Sequence, residues 1–435
     1  MRDRANAIIG QSGPSVLQWV MPSAPKTDPR ATIPPSHPPT GTAFAVTVAA
    51  FAVMMMGTTI PTPLYAIYGA HWDFGVLTTT EIFAVYATGV IAALIVFGRW
   101  SDVLGRKPLL LAGAVLAAIS AVIFLTAGGV TQLMIGRVIS GLSAGVYAGT
   151  ATAAVIESAP ASWRTRAPAV ATAANIGGLG LGPLVAGLLA QYAPAPLLTP
   201  FIVNLVLIAI VGIGIAAIGE PGTRHPGNRL SIQRLSVPPE VRGVFTGAAI
   251  AAFAGFAVLG TFTAVAPSFL SQLMGISNHA VAGGVVALLL GVSATTQIAG
   301  QRLPTDRSLI AGCAILVVGV ALMTAALATS SLPLLLTSAV VSGVGQGISF
   351  SKGLAAVVAA SPADRRAEVT STYFVVAYIA LCVPIVGEGI AASHWGLVPA
   401  GIAFDIGVGV LCAVAMVLIA LTLRRADARG LQGRD

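Results

Sequence analysis

The sequence predicts an all-α integral membrane protein. Twelve transmembrane helices are expected, in two pseudo-symmetric six-helix bundles with both termini cytoplasmic. Three observations carry that expectation. Hydrophobic residues make up 56% of the 435-residue chain and charged residues only 9%, whereas a soluble domain carries roughly a quarter. The apolar stretches are continuous runs of about 20 residues, the length that crosses a bilayer as a helix, where a closed barrel would show alternating strands of about ten. The basic residues, finally, cluster at 2–30, 99–107, 164–166, 224–242, 302–307, 352–366 and 424–434, with Arg137 the one exception. Each interval between clusters holds two spans. The opposite loops, near 69–79, 127–131, 191–199, 271–279, 329–333 and 392–396, contain no Lys or Arg, as the positive-inside rule requires of outer loops.

Each element follows from the order of these runs. Residues 1–40 carry charges and several prolines but no apolar core leading to a small-residue cleavage site, so they read as a disordered cytoplasmic tail and not as a signal peptide. Six spans are expected at 43–67, 80–98, 109–127, 131–155, 168–190 and 199–218, and six more at 244–269, 279–299, 308–328, 333–357, 370–391 and 397–421. Residues 219–242 are the polar stretch within the membrane portion, with prolines at 221, 226, 238 and 239 and four arginines. They form the cytoplasmic linker between bundles at 41–218 and 243–424. Residues 425–435 are a cytoplasmic C-terminal tail. Pro61 and Pro63 in span one, and Pro267 in span seven, mark either flexible outer tips or the ends of those helices. Trp72 and Trp395 fall at outer ends and Trp100 and Trp163 at inner ends, as an aromatic belt does.

A shift of 202 residues lays 140–164 on 342–366 without a gap, pairing Ser140, Gly141, Gly145 and Pro160 with Ser342, Gly343, Gly347 and Pro362. A duplicated six-helix bundle is a transporter architecture, with its site between the halves. Other classes are poorly supported. The net charge of +8 lies in loops on one face and not in a basic soluble domain, which argues against nucleic acid. Cys313, Cys382 and Cys412 lie inside apolar runs without paired spacing and read as packing residues. The five histidines, at 37, 71, 225, 279 and 394, sit in tails, loops or helix ends, so neither a metal site nor a catalytic set follows. The chain does not read as an enzyme. A phosphate-binding loop of the Gly-x-x-x-x-Gly-Lys-Ser/Thr kind is lacking, so no cofactor is expected and transport would draw on a proton gradient. The preference for Arg, Ala and Gly over Lys suggests a bacterial gene of high GC content.

Three motifs carry a resemblance. Gly98-Arg99-Trp100-Ser101-Asp102-Val103-Leu104-Gly105-Arg106-Lys107 resembles the cytoplasmic loop signature of the major facilitator superfamily, with Val103 departing from the usual basic residue. Arg137 followed by Gly141 and Gly145 is similar to that family's intramembrane arginine and spaced glycines. Gly178, Gly182, Pro183 and Gly187 in span five resemble the glycine-proline motif of its drug/proton antiporter branch, although the glycine after the proline comes one place late. Small residues at such spacing let helices approach closely.

The resemblance implies a cytoplasmic gate of Gly98, Asp102, Gly105, Arg106, Lys107 and Glu157. In it Arg106 pairs with Glu157, and Asp102 faces the helix start of span eleven near 364–370. Arg137 is either a cavity charge linked to substrate or proton, or a side chain that snorkels to the outer interface. Glu388 in span eleven is the candidate proton carrier, because a charge inside an apolar span is costly. Glu81 at the start of span two is expected near it, with Arg137 the third member of the coupling set. Asp405 in span twelve reads as a packing or partner residue, and Lys352 as snorkelling. Polar candidates for the substrate cavity are Arg137, Tyr86, Tyr147, Asn175, Gln297, Gln346, Tyr373 and Tyr378. The expected function is export of a small amphipathic or drug-like compound by proton antiport and alternating access. A monomer in the lipid of a bacterial inner membrane would carry it out; an uptake symporter or facilitator for a metabolite is the alternative.

Overall fold

The computed structural model describes residues 40–222 and 230–432. The expected N-terminal tail lies outside them except Thr40, whose Oγ1 accepts from the Ala43 amide at 3.1 Å and caps the first helix. Among the described residues twelve helices are long and apolar enough to cross a membrane: Gly41–Trp72, Val76–Phe97, Arg106–Leu125, Val130–Ser158, Ala167–Tyr192, Thr199–Ala217, Arg242–Ala264, His279–Arg302, Arg307–Thr329, Leu332–Ala360, Arg366–Trp395 and Leu397–Arg424. These are spans one to twelve. Among the described residues there is no strand. The last helix continues to Gln432, so most of the segment expected as a C-terminal tail is helical.

The prolines at the span tips have different effects. Pro61 and Pro63 interrupt span one without ending it: the α-helix stops at Thr59, a 3-10 turn covers Thr62–Leu64, and helix resumes at Tyr65–Trp72. A proline ring removes a backbone donor and fixes φ, which breaks regular hydrogen bonding locally. Near Pro267, span seven gives way to a short helix at Ala266–Ser268 and a π turn at Phe269–Leu273.

The internal repeat is visible as geometry. Spans four and ten are each 29 residues long, and their bounds differ by the same 202 residues. Gly141 and Gly145 of span four lie against Val90 and Ala93 of span two, while Gly343 and Gly347 of span ten lie against Leu289 and Ser293 of span eight. Packing between apolar helices in lipid relies on such close approach, because burial from lipid supplies little driving force. Serine hydroxyls add cross-links, Ser120 to the Gly136 carbonyl and Ser338 to the Gly319 carbonyl, each at 2.8 Å.

The outer surface has the complementary pattern. Ile202, Val206, Ile210 and Ile213 of span six form an exposed apolar stripe, and Ile406, Val410, Val414, Val417 and Leu421 of span twelve form another. Three- and four-residue spacing puts each set on one helix face. A face this apolar suits lipid and would aggregate in water.

Candidate functional site

At the end carrying the basic turns, the signature loop folds around Arg106. Gly105 adopts φ 102°, a conformation that favours glycine. Arg106 grips Glu157 in a two-point fork, Nε to Oε2 at 3.1 Å and Nη2 to Oε1 at 3.0 Å, while Nη1 donates to Asp102 Oδ1 at 2.7 Å. This bidentate geometry is what a guanidinium offers and a lysine cannot. Lys107 donates from Nζ to the Ala216 and Ile218 carbonyls, both at 2.7 Å, and so caps the end of span six. Glu220 accepts from the Arg106 amide at 2.6 Å and places its charge at the start of span three. The Arg106–Glu157 pair is therefore where the sequence puts it. Asp102 has its described ion pair with Arg106, within its own loop, and its side chain is 52% exposed; no described hydrogen bond or ion pair joins it to span eleven. The linker makes that crossing instead. The Gln233 amide donates to the Ile95 carbonyl of span two at 2.8 Å, and the Ser236 amide donates to Thr372 Oγ1 of span eleven at 3.1 Å. A Cβ at Gly98 would clash with the Leu94 carbonyl and only touch the Gln233 side chain.

At the opposite end the two sets of helices are in direct contact. Gly187 of span five lies on the His279 carbonyl, and Gly283 of span eight lies on the Pro183 carbonyl and the Gly187 Cα. Gly182 faces Thr59 of span one, and Gly178 faces Ala52. Gly389 of span eleven meets the Thr80 side chain of span two. The span-five motif is thus a packing surface toward both span one and span eight.

Between these ends lies a small cavity of about 60 Å³, lined by Thr58, Phe83, Tyr86 and Arg137 from the first half and by Phe256, Leu259 and Tyr378 from the second. Arg137 is 1% exposed, so it does not snorkel. Its Nη1 donates to the Thr58 carbonyl at 2.6 Å, one residue before span one breaks. Its guanidinium carbon sits 4.3 Å from the Tyr86 ring centre and 5.3 Å from that of Phe83, within cation–π range. Nε has no acceptor.

Glu388 is 3% exposed and turns into the second half. Thr261 of span seven donates to its Oε2 at 2.6 Å, and Oε1 has no partner. The expected neighbour Glu81 is only half-buried and forms no described hydrogen bond or ion pair. Spans two and eleven do pack, but Gly389, and not Glu388, faces that contact. Asp405 is the carboxylate close enough to Glu388 to interact electrostatically. It is equally buried, accepts from Thr324 at 2.7 Å, and also leaves one oxygen unpartnered.

Of the polar cavity candidates, Tyr86, Tyr378 and Arg137 line the cavity, and the others do not. Tyr147 is fully buried against Gly113, between spans three and four. Tyr373 donates to the Phe350 carbonyl at 3.2 Å. Gln346 and Gln297 are joined through Ser293, which donates to Gln346 Oε1 and accepts from Gln297 Nε2, inside the second half. Asn175 is half-buried and makes no described hydrogen bond. Lys352 is 5% exposed and donates to the Gln301 and Leu303 carbonyls at 3.1 and 2.8 Å, capping the turn after span eight and not reaching for water. Thr58, Thr261 and Phe256 carried no signal in the sequence, because apolar and hydroxyl residues occur on every face of these helices.

The described residues contain no cluster of ligands able to hold a metal ion. The Major Facilitator Superfamily model matches residues 42–383. The tetracycline resistance protein of class D from Salmonella ordonez is 32% identical over 126 residues, 29% of this chain and 31% of that protein. The class E protein from Escherichia coli is 31% identical over 119 residues, 27% of this chain and 28% of that protein. The chain thus spans under a third of the length of these curated relatives. Among solved structures, the human organic anion transporter MFSD10 (TETRAN) superposes with a TM-score of 0.63 at 17% identity, over 88% of this chain and 100% of that one. A bacterial homologue of the human lysosomal transporter Spinster, inward-facing and occupied, gives 0.66 at 14% identity over 89% and 98%. With twelve spans among the described residues, a repeated half and the family match over most of its length, the chain is a multi-pass membrane protein and belongs to the major facilitator superfamily.

Proposed function

We propose that this transporter exports a small amphipathic compound in exchange for protons. The bundles at 41–218 and 243–424 would rock about the cavity at Arg137, joined by the linker at 219–242. The end with the basic turns would face the cytoplasm of a bacterium, the protein would act as a monomer in the inner membrane, and the proton gradient would be its energy source. The observation that supports this reading is Glu388, a carboxylate 3% exposed with no cationic partner among the described residues. A charge there costs about 3 kcal/mol or more, and taking up a proton removes it. The partial similarity to tetracycline resistance proteins favours export. In everted vesicles with an imposed pH gradient, a panel of labelled amphipathic compounds should include at least one that accumulates, and collapsing the gradient should release it. Accumulation only in right-side-out vesicles would mean uptake and would overturn the antiport reading.

The basic-end cluster would be a gate that is remade in each half-cycle. The exposed Asp102–Arg106 pair contributes less than about 1 kcal/mol to stability, so Asp102→Asn should leave the melting temperature nearly unchanged. Its role would lie in the other conformation, where the loop meets span eleven, so transport should slow and cysteine labelling from the basic end should rise. Normal transport with unchanged labelling would remove Asp102 from the gate.

A further inference from the structure

We propose that the cavity at Arg137 selects compounds carrying a carboxylate or similar anionic head on an aromatic or aliphatic body. This deepens the export reading and rests on that cavity being the transport site. Arg137 is 1% exposed and is the charged member of the cavity lining among the described residues. Of its five N–H donors one goes to the Thr58 carbonyl, and Nε has no acceptor. The described acids are engaged elsewhere or stand apart: Glu388 is held by Thr261 and Asp405 by Thr324, and no ion pair with Arg137 forms. A buried cation of this kind is costly unless paired.

A second observation points the same way. Tyr65 lines a vestibule of about 430 Å³ at the opposite end from the basic turns. Its hydroxyl is buried without a partner, and Tyr65 is near enough to Arg137 to interact electrostatically. The guanidinium thus has N–H groups to spare, and the Tyr65 hydroxyl is able to donate as well as accept. A carboxylate is acceptor-only and matches the planar guanidinium fork. An ammonium would meet like charge and no carboxylate in the cavity lining. The cavity of about 60 Å³ exceeds the roughly 10–15 Å³ needed to admit a water, a space that suits a small carboxylate head. Phe256, Leu259 and Tyr378 offer the apolar wall for the body. The Tyr86 ring lies 4.3 Å from the guanidinium carbon and supports it from one side.

The test uses the full-length protein in nanodiscs and three matched probes: 2-naphthylacetate, its primary amide and 2-naphthylethylamine. Calorimetry should show the acid binding about tenfold tighter than the amide or the amine, the scale of a hydrogen bond to a charged group. Arg137→Gln should erase the preference of acid over amide by weakening the acid far more than the amide, and Arg137→Lys should keep part of the preference. An arginine that only holds span one in place would instead weaken acid and amide alike. Equal binding of acid and amide by the unaltered protein overturns the proposal, and so does tighter binding of the amine or binding of none of the three. Those measurements need no variant, so they stand even where Arg137→Gln fails to fold. Export of the three probes from vesicles separates the two readings. If the amine is exported and the acid is not, anion selection falls and proton-coupled export stands. If no amphipathic compound moves at all, both fall.

Discussion

Glu388→Gln is expected to fold, to bind substrate, and to lose all transport driven by a pH gradient. Gln keeps a carbonyl oxygen able to accept the Thr261 hydroxyl that now bonds Oε2 at 2.6 Å, and it is nearly isosteric, so packing between spans seven and eleven survives. What it removes is a group that gains and loses a proton. With one proton exchanged per cycle, a unit of pH difference can sustain about tenfold accumulation; the variant should fall to equal concentrations on both sides while exchange down a substrate gradient continues. Flux in reconstituted vesicles, with and without an imposed pH step, measures both. Retained uphill accumulation in Glu388→Gln would remove this residue as the carrier. Asp405→Asn would then be the informative variant, because Asp405 is buried to the same 3% and has its own unpartnered oxygen.

Gly283→Val should halt the transport cycle by a different route. A Cβ at Gly283 would overlap the Pro183 carbonyl and lie 3.3 Å from the Gly187 Cα. These are backbone atoms of a neighbouring helix, so the clash is relieved by separating spans five and eight and not by rotating a side chain. Overpacking of this kind costs about 1–3 kcal/mol, enough to shift a two-state equilibrium about five- to 150-fold away from the conformation closed at this end. On a background lacking native cysteines, Ser277→Cys at the mouth of the vestibule should label faster when Gly283→Val is added, and transport should drop in proportion. The control is the adjacent residue. A Cβ on Gly284 meets nothing within 4 Å, so Gly284→Val should transport normally. Equal effects of the two variants, or none from either, would show that this contact does not gate the cycle.

Much of the ion-pair cluster at the basic end was legible in the chain order. Arg106 and Glu157 are 51 residues apart, yet the fork between them follows from a loop signature and a span of known length. The span bounds are displaced by only a few residues from those the hydropathy runs predict, and the 202-residue repeat reappears as matched glycine contacts. The role of Glu220 was less visible, since its partner is a pair of backbone amides at the start of span three, and a backbone donor leaves no mark in a sequence.

The sequence by itself therefore determined the number of spans, the end at which charge collects, the repeat and the family, because these depend on hydropathy and charge counted along one dimension. The tertiary structure alone decided which side chains share a space. It turned Glu388 toward Thr261 and away from Glu81, put Asp405 within its reach, buried Tyr147 and Gln346 away from the cavity, and set Arg137 on two aromatic rings. The physical reason is the solvent. In water a helix declares its buried face by polar residues on the other side, but lipid is as apolar as a protein core. Both faces of these spans are then written in the same residues, and the rotation of each helix about its axis is fixed by close packing that no one-dimensional pattern records.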